Sequence, residues 1–112
     1  IAEDDKFLAF LDVNPNAKGH TLCNPKQEIN KIFEMEEDLY SELMAFFFFF
    51  FIAIEKTIDC KRVGMAVVGL EVPHVHVHLI PLQDMDDMRF ARKVSLSPEE
   101  LQRVAKQIAA NL

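Results

Sequence analysis

The sequence predicts an α+β fold built on an antiparallel sheet, and three features carry that expectation. Two pairs of short extended segments are each broken by turn residues, one long helical stretch separates the pairs, and a capped amphipathic segment closes the chain. Half of the 112 residues are hydrophobic and no linker or repeat divides them, so residues 1–112 are read as a single domain with one core. A formal net charge of −6 disfavours non-specific nucleic-acid binding but leaves room for one small anionic ligand. Cys23 and Cys60 are widely spaced, which is no disulfide framework and fits a reducing, cytoplasmic setting. The chain opens at Ile1 with no charged-then-apolar leader.

In chain order, Lys6 to Leu11 reads as a strand, Asp12 to Gly19 as a wide turn rich in Asn, Pro and Gly, and His20 to Asn24 as the returning strand. Asp12 stands at the loop mouth, where an Asx-turn is the ordinary role. Asn24, in a core strand, needs a partner for its amide. A helix is expected from about Glu36 to Ile58, because acidic residues gather at its start and Leu39, Leu43, Phe46, Phe50 and Ile54 share one stripe. Phe46 to Phe51 are six consecutive phenylalanines, so at least two or three must face outward unless another surface covers them. The apolar run from Leu43 to Ile54 is shorter than the roughly 20 residues a membrane span requires.

The second pair of strands is Arg62 to Gly69, expected to be buried, and His74 to Pro81. Gln83 to Lys93 is charged and Met-containing, with no chemistry assigned to it. Ser97 then caps a final helix, with Pro98 at its first position, Glu100 closing a capping box, and Leu101, Val104, Ala105 and Ile108 on one face.

The chemistry centres on His74, His76 and His78. They alternate with Val75, Val77 and Leu79, so on a strand the three imidazoles project to one side and the aliphatic residues to the other. A merely solvated face would be served by any polar residue, whereas imidazole does nucleophilic, acid-base or metal work near neutral pH. A metal site competes with nucleophilic catalysis. Same-face neighbours stand roughly 6.6 Å apart along a strand, so two rings could reach one ion at about 2.0–2.1 Å, with a carboxylate such as Glu71 completing the set. The alternative makes the central ring a nucleophile whose neighbours bind and protonate what it attacks.

His74-x-His76-x-His78 followed by Leu79 and Ile80 resembles the signature of the histidine triad (HIT) family of nucleotide hydrolases and transferases. Phe10-Leu11-Asp12-Val13-Asn14-Pro15, then Lys18 to Leu22 and Pro25-Lys26, is similar to that family's N-terminal hairpin. The resemblance spans roughly Ile1 to Pro81. It implies a HIT-like sheet of two hairpins with a long helix across one face, and a homodimer paired through that helix and an edge strand. It further implies that a short helix and strand which relatives carry upstream, with part of the pocket, lie before Ile1.

For the site, the resemblance implies His76 as nucleophile at the α-phosphate of a purine nucleotide conjugate, with His74 and His78 on the phosphoryl oxygens and no cofactor or metal. Asp12 would hold the ribose hydroxyls, Phe10 and Val13 the base, and His20 would support the triad or phosphate. Relatives have a longer Gly-rich connection before the triad; here only Gly69 remains, and Glu71 replaces a hydroxyl that contacts the leaving group. A non-catalytic purine-nucleotide-binding module and a His-ligated metal hydrolase are the competing readings.

Overall fold

The computed structural model describes residues 2–70 and 72–112. Five strands, β1 (Ala2–Glu3), β2 (Phe7–Leu11), β3 (Thr21–Pro25), β4 (Arg62–Ala66) and β5 (Val77–Leu82), form one antiparallel sheet in the order β1-β2-β3-β5-β4. The two expected hairpins are therefore β2–β3 and β4–β5, joined where β3 pairs with β5. Helix α1 (Glu37–Thr57) connects the hairpins, and α2 (Pro98–Ala110) ends the chain.

Alternation sorts the sheet into two chemically different faces. Phe7, Ala9, Cys23, Val63, Val77 and Leu79 are buried in one core with Leu43, Phe47, Phe50, Ala53 and Ile54 of α1 and Val104 and Ile108 of α2. On the opposite face the register aligns Phe10 with Leu22, Leu22 with His78, and His78 with Ala66. One histidine thus belongs to a row running across four strands. Helix α1 follows the expected stripe, with Glu37 and Asp38 at its start and Lys56 in its last turn complementing the helix dipole. Of the six phenylalanines, Phe48 and Phe49 face outward, at 57% and 63% exposure. The described residues contain no helix long and apolar enough to cross a membrane.

Two strand boundaries differ from expectation. The ladder of β5 starts at Val77, so His74 and His76 lie in the approach to the strand. The cause is Pro25, which ends β3 and has no N–H with which to extend the pairing. The freed groups turn elsewhere: Val75 N–H donates to Ile29 O at 2.8 Å and His74 N–H to Val72 O at 2.8 Å. The segment expected as a buried strand to Gly69 stops at Ala66 and lies at the sheet edge, with Met65, Val67 and Val68 exposed. With a neighbour on one side only, β4 has half the cover that a central strand receives.

Helix α2 starts as its sequence indicates, with Ser97 Oγ accepting from Glu100 N–H and Pro98 in the first turn. The Ser97 hydroxyl in turn donates to the Glu100 carboxylate at 3.3 Å, which departs from the backbone contact of a full capping box. Gly19 sets the entry to β3. Its φ is +94°, and a Cβ built there would lie 2.7 Å from Ile58 Cγ1, so both backbone and packing require glycine. That close approach clamps the 12–20 loop against the end of α1 and fixes where His20 enters the site.

Candidate active site

His20 and His78 form the buried centre of the site, at 1% and 7% exposure. The Asn16 backbone N–H lies 3.0 Å from His20 Nδ1, and a backbone N–H can only donate, so Nδ1 is an acceptor without a proton. Neutral His20 must then carry its proton on Nε2, which lies 2.9 Å from His78 Nδ1. That contact makes His78 Nδ1 the acceptor and puts the His78 proton on Nε2. One peptide N–H thus sets the tautomers of two rings in series.

His76 is oriented separately. Its Nδ1 is 2.7 Å from the His74 carbonyl oxygen, which can only accept, so Nδ1 carries the proton and Nε2 keeps its lone pair. The His76 and His78 rings meet edge to face with centroids 4.9 Å apart. His74 departs from the arrangement expected of three rings on one strand face. Its Nε2–H donates to Pro25 O at 2.8 Å, and among the described residues its ring meets no other histidine ring. The rings brought together are His20, His76 and His78, while His74 contributes its backbone carbonyl.

Burial pushes His20 and His78 down to about 4 each, against the smaller opposing pull of Asp12. For His20 the Asn16 N–H adds to this, because protonating Nδ1 would set two donors against each other. Both rings are neutral at pH 7.

The other expected site residues fall around this centre. Asp12 makes the Asx-turn, accepting from Asn14 N–H at 2.8 Å through Oδ1, and its Oδ2 lies 3.7 Å from His20 Nε2. Phe10, on the histidine face, is 38% exposed, and Val13, in the loop beyond β2, is 82% exposed. Gly69 has a φ of +72°, which explains the glycine, and adds no side chain to the site. Glu71 lies outside the described residues. Asn24 Nδ2 reaches Pro25 O at 3.3 Å, while its buried Oδ1 has no partner among the described residues, and nothing in the structure explains that choice.

Sequence reasoning missed Asn16, Leu22, Phe90 and Lys93. The Asn16 side chain, 1% exposed, donates to Asp87 O at 3.0 Å and accepts from Lys93 Nζ at 2.7 Å. Phe90 packs edge-on against His78 and His20, with centroid distances of 4.8 and 6.2 Å. Nothing in a charged segment advertises such contacts; Leu22 alone was discoverable, as the residue two beyond His20 on the same strand face.

Asp12, His20 and His78 each place a potential ligand atom within 4.8 Å of the others, so a metal ion can be tested against them. They do not fit one. A ligating nitrogen needs its lone pair, and with Nδ1 accepting from Asn16 the only proton of neutral His20 sits on the nitrogen that would bind.

Comparison with known proteins follows the geometry. The family model of the HIT domain matches residues 1–85. An uncharacterised HIT-like protein of Methanocaldococcus jannaschii is 38% identical over 97 residues, covering 77% of this chain and 70% of that protein. The adenosine 5'-monophosphoramidase of Schizosaccharomyces pombe is 27% identical over 119 residues, covering all of this chain and 86% of that protein. Among solved structures, a hypothetical histidine triad nucleotide-binding protein from Sulfolobus tokodaii superposes with a TM-score of 0.84 at 28% identity, over 98% of this chain and 80% of that one. The fold and the clustered imidazoles define an antiparallel α+β protein with a histidine site on one sheet face. The chain belongs to the histidine triad family.

The neutral buried pair makes stability depend on pH. Because the folded values lie below the ordinary histidine value, the unfolded state binds more protons at intermediate pH. The stabilisation is complete above about pH 6.5 and is lost as pH falls toward about 4. The urea midpoint should therefore drop between about pH 6.5 and 5, above most carboxylate titration, and the drop should be shallower in His20→Gln. A flat midpoint across that window in wild type would contradict the neutral pair.

Proposed function

We propose that the chain is a nucleotide hydrolase or transferase acting at the α-phosphate of nucleoside phosphoramidates or dinucleoside polyphosphates through a nucleotidyl-histidine on His76. The observation that carries this reading is the His76 tautomer: Nδ1–H is committed to a carbonyl and Nε2 is left with its lone pair. Attack forms the Nε2–P bond as the bond to the leaving group breaks, and the bonding pair departs with that group; a phosphate leaves as its anion, and an amine leaves with a proton supplied by solvent. Positive charge developing on the ring is stabilised by the His74 carbonyl. His78 Nε2–H, fixed from behind by His20, donates to a phosphoryl oxygen, and a donor aimed in advance costs no reorganisation during reaction. Water then cleaves the intermediate and releases the nucleoside monophosphate.

The row Phe10, Leu22, His78 supports the binding mode. Neighbouring strands lie about 4.8 Å apart, so Phe10 and His78 are separated by about 10 Å, a span that suits a nucleoside lying across the sheet with its phosphate at the histidines. Asp12 at the same end would take the ribose hydroxyls. The name of the S. pombe relative favours an adenosine phosphoramidate as the first substrate to test.

His76→Ala is expected to abolish monophosphate release while the monophosphate still binds, and wild type quenched early in turnover should carry the nucleotide on His76. His74→Ala should retain measurable turnover, since its ring is tied to Pro25. Residual activity in His76→Ala above about a hundredth of wild type would exclude it as nucleophile, because even a positioned acid-base group contributes about 10²–10⁴. Activity lost to chelator and restored by zinc would favour a metal hydrolase, and binding without turnover in wild type a non-catalytic nucleotide module.

The same reading includes a homodimer. Among the described residues the outer edge of β4 is unpaired, its flank exposes Met65, Val67 and Val68, and α1 exposes Phe48, Phe49 and Ile52. Open edges and apolar surface of this kind favour association. Light scattering at micromolar concentration should report twice the chain mass, and a monomer would refute the assembly.

A further inference from the structure

Lys93 stands apart from the other cations of its segment. Arg89 and Arg92 are both paired with carboxylates, Arg89 with Asp86 and Arg92 with Asp86 and Asp87, at 3.2 to 3.4 Å. Lys93 has no carboxylate partner among the described residues. Its ammonium is held by a neutral group, donating to Asn16 Oδ1 at 2.7 Å, and rests 5.0 Å from the centroid of Phe90. An ammonium has three donors, and among the described residues one is used.

The position of this charge is fixed from both sides. Asn16 is buried, and its own N–H fixes the His20 tautomer. Phe90 lies against His78, so the ammonium stands one aromatic ring away from the histidine that faces the α-phosphate. The Val94 N–H donates to Pro15 O at 2.9 Å and ties the backbone beside Lys93 to the same loop. Lys93 is also close enough for its charge to oppose protonation of His20 and His78. A half-buried cation with no carboxylate partner among the described residues, held by a buried amide one aromatic ring from His78, is arranged to receive an anion carried by the substrate.

We propose that Lys93 forms the leaving-group subsite of the reaction assigned to His76, and that it selects substrates whose expelled portion is anionic, bearing a phosphate or a carboxylate, over those that release an uncharged amine. The inference rests on the reading of His76 as nucleophile and adds the chemical class of the group expelled. Displaced by one ring from His78, the ammonium engages what lies beyond the phosphorus under attack.

The test compares kcat/KM for three adenosine substrates in wild type, Lys93→Met and Lys93→Arg. Adenosine 5'-phosphoramidate expels ammonia, diadenosine triphosphate expels ADP, and the phosphoramidate of AMP with alanine expels a carboxylate-bearing amine. A charge-assisted hydrogen bond lost in the transition state lowers the rate about tenfold to a hundredfold, so the ratio of anionic to neutral substrate should fall by that factor in Lys93→Met and recover in Lys93→Arg. A fall confined to the diadenosine substrate assigns phosphate as the natural anion, and one confined to the alanine adduct assigns carboxylate. Ratios unchanged within about twofold for both overturn the proposal. Equilibrium binding separates this result from a failure of the catalytic reading. If wild type releases no AMP from any substrate, the reaction assigned to His76 falls, and the ADP-to-AMP affinity ratio decides Lys93 alone. An ADP advantage lost in Lys93→Met upholds the subsite, and an ADP advantage that survives there, or is absent from wild type, refutes it.

Discussion

A single peptide N–H, that of Asn16, governs the chemistry of this site. Because it can only donate, it withholds a proton from His20 Nδ1, and the requirement passes through His20 Nε2–H to His78 Nδ1. What emerges at the open end is a fixed donor, His78 Nε2–H, beside a fixed acceptor, His76 Nε2. An imidazole in water interconverts its tautomers freely; here the backbone has settled the choice. That is electrostatic preorganisation achieved with uncharged groups, and burial keeps them uncharged.

The rest of the fold holds Asn16 in place. Gly19 lets the 12–20 loop lie against Ile58 at the end of α1, and Asn16 Nδ2 ties the loop to the carbonyl of Asp87. The Asp87 carboxylate is itself held below the usual carboxylate range, chiefly by the Gln83 N–H, with Asp84 N–H and Arg92 adding to it. A buried polar group left unpaired costs about 1–3 kcal/mol, so loop and segment are stable only with both sets of contacts made. The turn after β5 is therefore part of the site even though its sequence carries no catalytic residue type. It also delivers Phe90 to the histidine rings and Lys93 to Asn16.

Local patterns made the architecture readable. The β2–β3 and β4–β5 hairpins, the span of α1 to within a residue at each end, and the Ser97 cap of α2 follow from periodicity and turn composition. Histidine spacing identified His76 and His78 as neighbours, and the carbonyl expected to fix the tautomer of the His76 ring is that of His74. What escaped depends on contacts between distant segments. The proline that halts β3 is visible in the sequence, but its effect on β5, fifty residues later, requires knowing that the two strands pair. His74 consequently resembles a third ring of the cluster by spacing and is turned to Pro25 in space. Asn16, 71 residues from Asp87 and 77 from Lys93, gives no local sign of its role.

Nitrogen-15 NMR of the histidine side chains at pH 7 tests the central claim most directly, because the ring nitrogens report their protons individually. The account predicts neutral Nε2–H tautomers for His20 and His78 and an Nδ1–H tautomer for His76, with Asn16 N–H coupled across its hydrogen bond to His20 Nδ1. A protonated His78, or a proton on His20 Nδ1, would contradict it.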